Sequence, residues 1–150
     1  MRVFRSLAEM EPLVGQEVAV SDWIEVTQER IRLFAEATND HQWIHLDVER
    51  AKAGPFGTTI AHGFLTLSLL PEMSASAFQV EGTRMGVNYG LNKVRFPAPV
   101  PSGSRLRGRF KLLGYEPLDG GAQVTMLVTM EREGSDKPVC VAESLSRRFV

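Results

Sequence analysis

Residues 61–73, AHGFLTLSLLPEM, are the stretch that decides the fold. This segment is apolar almost all round, with Thr66 and Ser68 as small polar interruptions. A helix that is apolar on every face is most stable when other elements enclose it on several sides. The segment therefore predicts a helix over residues 61–73 that lies at the centre of the domain.

After this helix the pattern changes to that of extended chain. The segments that follow are rich in β-branched and aromatic residues, and clusters of Pro, Gly, Asp and Ser separate them. The predicted strands, including an early one of the same character, are 17–26, 87–96, 105–113, 123–131 and 139–149. Together they predict an antiparallel sheet wrapped around one buried helix, an α+β fold.

Two shorter helices are predicted before the central one. Residues 27–38 carry apolar side chains at helical spacing, and Thr27 is suited to cap the first turn. Asp47 is suited to cap a second helix that ends near residue 52, before a Gly-Pro pair. The segment 40–45 between the two helices is predicted to be a loop.

The size and charge of the chain limit the classes of function. Its 150 residues, 43% of them hydrophobic, fit one domain spanning residues 1–150 with one substantial core. Lysine and arginine number 17 against 18 aspartate and glutamate, which gives a formal net charge of -1. Because no overall positive field exists, neither nucleic acid nor an anionic membrane is expected as a partner.

Cys140 is the only cysteine in the chain. A single thiol excludes an internal disulfide and a multi-cysteine metal site, and it fits a reducing compartment. No segment approaches the roughly 20 apolar residues that cross a bilayer, and no signal peptide is recognisable. We therefore expect a cytoplasmic protein in which Cys140 is a buried side chain rather than a nucleophile.

The segment 37–47, ATNDHQWIHLD, places Asp40 and His45 five residues apart, directly after the helix 27–38. At neutral pH the pair combines a group that only accepts hydrogen bonds with one that both donates and accepts. Such a pair is suited to moving a proton to or from a water molecule. Each residue also has a structural alternative, Asp40 as the cap of a turn and His45 as a packed histidine.

Three motifs are spread over the chain: Asn39-Asp40-x-x-x-Ile44-His45, Ala61-His62-Gly63-Phe64, and NYGLNKVRFPAPV over residues 88–100. They resemble the MaoC-like dehydratases, in particular the branch of nodulation protein N and the mycobacterial R-specific enoyl-CoA hydratases. The resemblance covers most of the chain. It implies the hot-dog fold, in which a curved antiparallel sheet wraps around one long central helix, usually in a homodimer. It also implies hydration of trans-2-enoyl-CoA to (R)-3-hydroxyacyl-CoA, or the reverse dehydration.

Within this resemblance three residues have expected roles. Asp40 and His45 would share one water, remove its proton and protonate C2 of the substrate. The Gly63 N–H at the start of the central helix would bind the thioester oxygen, on which negative charge develops. The chemistry needs neither a metal nor a cofactor, since coenzyme A is part of the acyl-CoA substrate.

The chain departs from the family's loop motif, Gly-Asp-x-Asn-Pro-[aliphatic]-His. Asn39 stands in the place of Gly, and Gln42 and Trp43 stand in the place of Asn-Pro. We expect these changes to alter the shape of the loop and the wall of the pocket while the acid-base pair is kept. Trp43 either anchors the loop on the core or lines the acyl tunnel.

Two other functions stay open at this point. The hot-dog fold also supports acyl-CoA thioesterases, in which the carboxylate and the histidine would direct water to the carbonyl carbon. A non-catalytic protein that binds acyl-CoA or acyl-carrier protein is the other alternative. Release of free coenzyme A would distinguish a thioesterase from a hydratase. Binding of the acyl thioester without turnover would identify the non-catalytic protein.

Two further groups of residues, one of histidines and one of basic side chains, are candidates for binding sites. His41, His45 and His62 lie near Asp40 in the sequence, but their spacing gives little support to a metal site, and none is expected. A basic group alternates along the predicted strand 105–113, where it forms either a solvated face or a contact to ligand phosphates. Its members are Arg105, Arg107, Arg109 and Lys111.

Overall fold

The protein, described over residues 1–150 by a computed structural model, has two sheets. The strands are β1 (Arg2–Phe4), β2 (Glu17–Val20), β3 (Ile24–Val26), β4 (Phe78–Val80), β5 (Met85–Arg95), β6 (Ser104–Leu118), β7 (Gly121–Arg132) and β8 (Cys140–Phe149). The main sheet has the order β2-β6-β7-β8-β5, and β3 also pairs with β6. All of its pairings are antiparallel, as the sequence predicted.

Helices occupy the three stretches in which the sequence predicted them, and two further segments are helical. They are α1 (Gln28–Thr38), α2 (Trp43–Leu46), α3 (Val48–Lys52), α4 (Gly63–Ser68) and α5 (Leu70–Ala77), with a 3-10 helix at Leu7–Leu13. Thr27 caps α1 as predicted, because its Oγ1 accepts a hydrogen bond from Arg30 N–H at 3.1 Å. No helix is long and apolar enough to span a bilayer.

The central helix differs from the prediction in its bounds and in its continuity. It begins at Gly63 rather than at residue 61, it ends at Ala77, and it is interrupted at Leu69. The interruption has a local cause, because Pro71 has no N–H to donate to the carbonyl of Leu67. Leu69 keeps near-helical backbone angles, so α4 and α5 follow one another along the same side of the sheet.

The same helix is enclosed on one side only. Its inward stripe has the spacing of one helical face and consists of buried Leu65, Leu69, Met73 and Ala77. On the outer side Phe64 is 70% exposed. The sequence predicted that other elements enclose the helix on several sides. In the structure only the inward stripe is buried, and the outer side is accessible to solvent.

β7 forms the centre of the main sheet and has the alternation expected of a strand with one buried face. The buried side chains of this strand are Ala122, Val124, Met126, Val128 and Met130. β5, at the edge of the sheet, is exposed at almost every position. The core therefore lies between the centre of the sheet and the inward stripe of the central helix, while β5 borders solvent.

The predicted strand 17–26 is two strands in the structure. Ser21, between β2 and β3, donates its N–H to Gly108 O at 2.9 Å, and its Oγ accepts from Gly108 N–H at 2.8 Å. A side-chain oxygen thus takes the place of a backbone carbonyl in the ladder. This substitution ends β2, and the strand resumes at Ile24.

The sequence analysis missed the small second sheet. β1 pairs with β4 in parallel, with Arg2 opposite Phe78 and Phe4 opposite Val80. Both strands have three residues, too few for a period of two to stand out. Phe4 and Phe78 meet edge to face with their ring centroids 6.1 Å apart, which attaches the N-terminal strand to the core.

The basic group on β6 is a solvated face rather than a free cationic patch. Arg105 donates to Glu133 at 3.0 Å, Arg107 pairs with Glu131, and Arg109 pairs with Glu17 at 2.8 Å. These pairs join neighbouring strands on an exposed surface, where each contributes at most about 1 kcal/mol. Three of the four members thus already have acidic partners, which favours the solvated alternative.

Cys140 is fully buried, as expected. Burial raises the pKa of its thiol to about 11, because the charged thiolate is poorly solvated in the core. The thiol is therefore neutral at physiological pH and is packed as a small apolar side chain.

Candidate active site

The segment between α1 and α2 carries Asp40 in a defined turn. α1 ends at Asn39, which has a left-handed backbone with φ of 60°. Glycine and asparagine are the two residues that adopt this conformation most readily at a helix end, so Asn39 is suited to its position. Asp40 is exposed, and its Oδ1 accepts a hydrogen bond from Gln42 N–H at 3.3 Å.

The second half of the predicted loop is helical, which corrects the prediction of a loop over residues 40–45. Trp43–Leu46 form the single turn α2, so His45 lies on a helix. The Trp43 ring contacts Arg50, whose guanidinium carbon is 4.1 Å from the ring centroid. A Cβ atom built on Gly54 would lie 3.2 Å from the same ring. These contacts favour the anchoring alternative for Trp43, because the indole attaches α2 to the end of α3.

His45 is buried at 6% exposure and has only one free ring nitrogen. Its Nδ1 lies 2.7 Å from the carbonyl oxygen of Ile60. A carbonyl only accepts, so Nδ1 carries the proton and donates it to this bond. In the neutral imidazole Nε2 is then the unprotonated nitrogen and can accept a proton.

The surroundings of His45 favour its neutral form. Burial lowers the pKa of His45 below its ordinary value, because the imidazolium loses solvation. The bond to Ile60 and the Asp40 carboxylate work in the opposite direction, while the neighbouring His62 lowers the pKa further. The net shift is downward, so the Nε2 lone pair is available at neutral pH.

His62 connects the two predicted catalytic residues. Its ring is stacked on that of His45, with centroids 3.8 Å apart and planes 25° apart. Its Nε2 donates to the backbone carbonyl of Asp40 at 3.0 Å, while its Nδ1 is buried without a partner. From its position at the start of the central helix, His62 is predicted to pack or to form a hydrogen bond that orients the loop, and its bond to the Asp40 carbonyl agrees with this prediction. Its stacking on His45 was not predicted.

Asp40, His45 and His62 therefore form one cluster, with one polar side-chain atom of each within 4.8 Å of the others. His41 lies outside it and faces Glu36 at 3.5 Å. A carboxylate and two imidazoles can bind a divalent metal ion. The ion lies in the plane of each ring that binds it, however, and two stacked rings do not direct their lone pairs to one point. In this arrangement the cluster does not fit a shared metal ion.

A half-buried amide, that of Gln28, holds the turn that carries His45. Gln28, the first residue of α1, donates from Nε2 to the carbonyl oxygen of His45 at 2.8 Å. Its Oε1 accepts a hydrogen bond from Thr59 Oγ1 at 2.6 Å. Thr59 and Gln28 are 31 residues apart in the chain, so no local motif could have indicated their role.

Gly63 is the first residue of α4, directly after His62. No backbone carbonyl accepts a hydrogen bond from its N–H, as expected for the first position of a helix. A Cβ at this position would lie 3.2 Å from Cδ2 of Phe96. Gly63, Ile60 and Phe96 line a cavity of about 300 Å³. The predicted oxyanion donor is thus unpaired and borders an open space.

Known proteins resemble the chain over most of its length. Residues 9–133 match the family described as MaoC like domain. The 3-hydroxyacyl-thioester dehydratase Z of Mycobacterium tuberculosis is 57% identical over 98% of both chains. Nodulation protein N of Rhizobium leguminosarum is 49% identical over 91% of this chain and 87% of that protein. Both matches span the two segments that form the candidate site.

The fold also matches a solved structure. An R-hydratase from Pseudomonas aeruginosa, solved in its unliganded form, superposes with a TM-score of 0.73. The match covers 96% of this chain and 85% of that chain at 24% sequence identity. At this identity the match establishes the hot-dog architecture that the sequence motifs implied.

Proposed function

The chain belongs to the MaoC-like dehydratase family, which makes it a hydro-lyase, and we propose that it interconverts trans-2-enoyl-CoA and (R)-3-hydroxyacyl-CoA. The observation that carries this proposal is the cluster of Asp40, His45 and His62. It provides a carboxylate within reach of an imidazole that has one fixed donor and one free acceptor. The name of the 57% identical mycobacterial relative, a 3-hydroxyacyl-thioester dehydratase, supports the same reaction.

In the proposed hydration, a water molecule lies between the Asp40 carboxylate and Nε2 of His45. His45 takes one proton from this water as the oxygen attacks C3 of the enoyl group. The electron pair of the double bond moves towards the thioester, and the Gly63 N–H stabilises the charge that develops on the carbonyl oxygen. A proton from the Asp40–His45 pair then reaches C2, so the pair ends in its starting state. Dehydration follows the same steps in reverse.

His62 has a positioning role in this proposal. Its bond to the Asp40 carbonyl fixes the backbone that carries the carboxylate, and its ring supports one face of His45. The half-buried Gln28 amide supports the turn through the His45 carbonyl. These bonds hold the backbones of both reacting residues, while His45 Nε2 and Asp40 Oδ2 stay free to contact water.

The test is hydration of trans-2-enoyl-CoA thioesters of several chain lengths, with chiral analysis of the product and assay of free thiol. Asp40→Asn should lower kcat by roughly 10²- to 10⁴-fold, the usual contribution of an acid-base group, with an unchanged Tm. Asp119→Asn is the matched control, because Asp119 is an exposed acid in the turn between β6 and β7. An S product, or thiol release in place of hydration, would contradict the proposal, and the latter would indicate the thioesterase.

A second copy of the chain is the proposed partner. β5 is an edge strand of 11 residues with one free row of backbone groups. It exposes apolar side chains, with Val87 at 42%, Tyr89 at 54% and Leu91 at 45%. A long exposed edge of this kind is seldom left open in a stable protein. Pairing of two β5 edges in a homodimer would cover it.

A further inference from the structure

Three cavities have residues of the central helix in their walls, and the first shares no lining residue with the other two. β5 runs antiparallel to α4 and α5, so that its end near Phe96 lies at Gly63 and its start near Gly86 lies at Ser74. The first cavity, of about 300 Å³, contains Gly63 in its wall. The middle one, of about 370 Å³, lies between Leu67 and Leu91. The last, of about 260 Å³, adjoins the middle one through shared walls.

The cavity furthest from Gly63 has a cationic wall. Arg148, on β8, borders it together with the hydroxyl groups of Ser74 and Ser146. The Nε of Arg148 is buried and has no hydrogen-bond partner. Its guanidinium carbon lies 5.0 Å from the centroid of the Phe78 ring, an apolar neighbour.

Arg148 forms no ion pair with an acid, and it shares a buried Nε without a partner with Arg132. Arg148 is distinguished by its place in the wall of the last cavity, since Arg132 lines none of the three. The arginines that form ion pairs with glutamate are Arg30, Arg32, Arg105, Arg107 and Arg109. Burial lowers the pKa of Arg148, because its charge loses solvation that no carboxylate replaces. A largely desolvated cation without a partner costs stability, so its presence beside a cavity indicates that an anion from outside the chain completes it.

The shape of the space limits the anion. The apolar Leu70 and Pro71 line both the middle and the last cavity, together with the polar Asn88 and Ser144, so the approach to Arg148 is apolar on its helix side. Ser74 follows Gly63 by eleven residues, about 16 Å along a helix. An approach with one apolar side that ends at an arginine beside two serines fits an aliphatic chain with a terminal carboxylate. Arginine binds a carboxylate through two parallel N–H···O bonds.

We propose that Arg148 forms an anion subsite for an aliphatic carboxylate, and that this carboxylate is the far end of the acyl chain. The second half of this inference rests on the proposed function, because it places the thioester at Gly63 and the chain along the helix. The substrate class is then the enoyl thioester of a dicarboxylic acid. An acyl chain that ends in a methyl group would leave Arg148 unpaired.

The first test measures binding and needs no turnover. Hexanoate is titrated into the wild-type protein and its binding is measured by calorimetry. Hexanol and hexylamine, which have the same chain length, are the neutral and cationic control ligands. Hexanoate should bind at least about tenfold more tightly than hexanol, and Arg148→Met should abolish this preference. Arg147→Met is the matched control, because Arg147 is the adjacent residue and donates instead to Gln123.

Arg148→Met is expected to fold. The methionine keeps an unbranched apolar stem in the same space and removes an unpaired buried charge, so the Tm without ligand should be equal or higher. Sedimentation of the same variant checks the oligomeric state. If Arg148 instead paired with an acid of a second copy, the variant would dissociate and wild type would show no selectivity for hexanoate, which would overturn the proposal.

The second test compares trans-2-enoyl-CoA thioesters of equal length that end in a carboxylate or in a methyl group. Wild type should have the higher kcat/KM for the carboxylate-ended series, and Arg148→Met should reverse the order. Selective hexanoate binding without this preference would overturn the assignment to the acyl chain. Absence of turnover with every thioester would refute the proposed function, and the hexanoate titration would still decide on the subsite.

Discussion

At the scale of single residues, the site depends on which atoms are already bonded. The proton on Nδ1 of His45 is committed to Ile60, and the N–H on Nε2 of His62 is committed to the Asp40 carbonyl. Each imidazole therefore has one defined tautomer in its neutral form. Reactivity at His45 is confined to Nε2, and the residue types alone would not have distinguished its two nitrogens.

The pH dependence of activity should report the lowered pKa of His45. The base is the neutral imidazole, so kcat/KM should fall as the pH decreases through the pKa of His45 in the folded protein. Burial places this pKa below the ordinary value, and we expect the midpoint of the acidic limb below about 6.5. His62→Gln keeps an amide donor for the Asp40 carbonyl but removes the neighbouring ring, so it should raise the midpoint. A wild-type midpoint above 6.5 would contradict the assignment.

Gly63→Ala tests the space beside the proposed oxyanion donor, because alanine keeps the backbone N–H. The added methyl group would lie 3.2 Å from the Phe96 ring, and both residues line the cavity at that N–H. We expect kcat to fall by up to roughly 10²-fold, the order of losing one such donor, because crowding here would displace the thioester oxygen, with little change in Tm. Gly114→Ala is the control, because its Cβ would lie 3.5 Å from Thr125 in ordinary contact. Equal activity of both variants would show that the thioester oxygen does not need the space beside Gly63.

At the scale of elements, the sequence predicted strands and helices well where the apolar pattern was long. The strands β5 to β8 and helix α1 lie within a few residues of their predicted bounds. The errors lie where one residue changes the backbone pairing. Ser21 divides an early strand through its side-chain oxygen, and Pro71 interrupts the central helix through its missing N–H. The spacing of apolar residues does not reveal a side-chain hydrogen bond in a sheet or a missing N–H in a helix.

Removal of the Ser21 hydroxyl should destabilise the protein. In Ser21→Ala, the buried Gly108 N–H would lose its acceptor at 2.8 Å. A buried donor without a partner costs about 1–3 kcal/mol, so the free energy of unfolding should decrease by this amount. Urea denaturation measures the change. Ser135→Ala, in the loop after β7, should stay within about 0.5 kcal/mol of wild type, because the Ser135 hydroxyl has only a 3.5 Å contact with Lys137 O. A loss no larger than that of the control would show that water replaces the hydroxyl.

At the scale of the whole molecule, the sequence motifs predicted the family, the fold and two members of the site cluster. Asp40 and His45 lie on one continuous segment, and their proximity follows from local structure. His62 and the pair of Gln28 and Thr59 come from distant segments that meet only when the sheet and the helices assemble. Their bonds could not be read from spacing, since no periodicity relates a residue in α1 to one 31 positions later.

The assembly of the molecule can be tested at the edge of its main sheet. Leu91→Lys puts a charge on β5 where we propose that a second copy pairs, and charged side chains oppose edge-to-edge pairing. The wild type should sediment with the mass of two chains, and the variant should shift towards the mass of one. Leu33→Lys, at an exposed apolar position of α1, is the control. A monomeric wild type would contradict the homodimer.

The contact of Trp43 with Arg50 gives the protein an optical signal beside its site. The chain has two tryptophans, and Trp43 is on the same single turn as His45. A cation over an indole ring changes the emission of that ring, so movement of α2 against α3 would alter the fluorescence. With Trp23 replaced by Phe, the remaining emission would come from Trp43 alone. Substrate arrival at the site could then be followed by stopped-flow fluorescence without an attached dye.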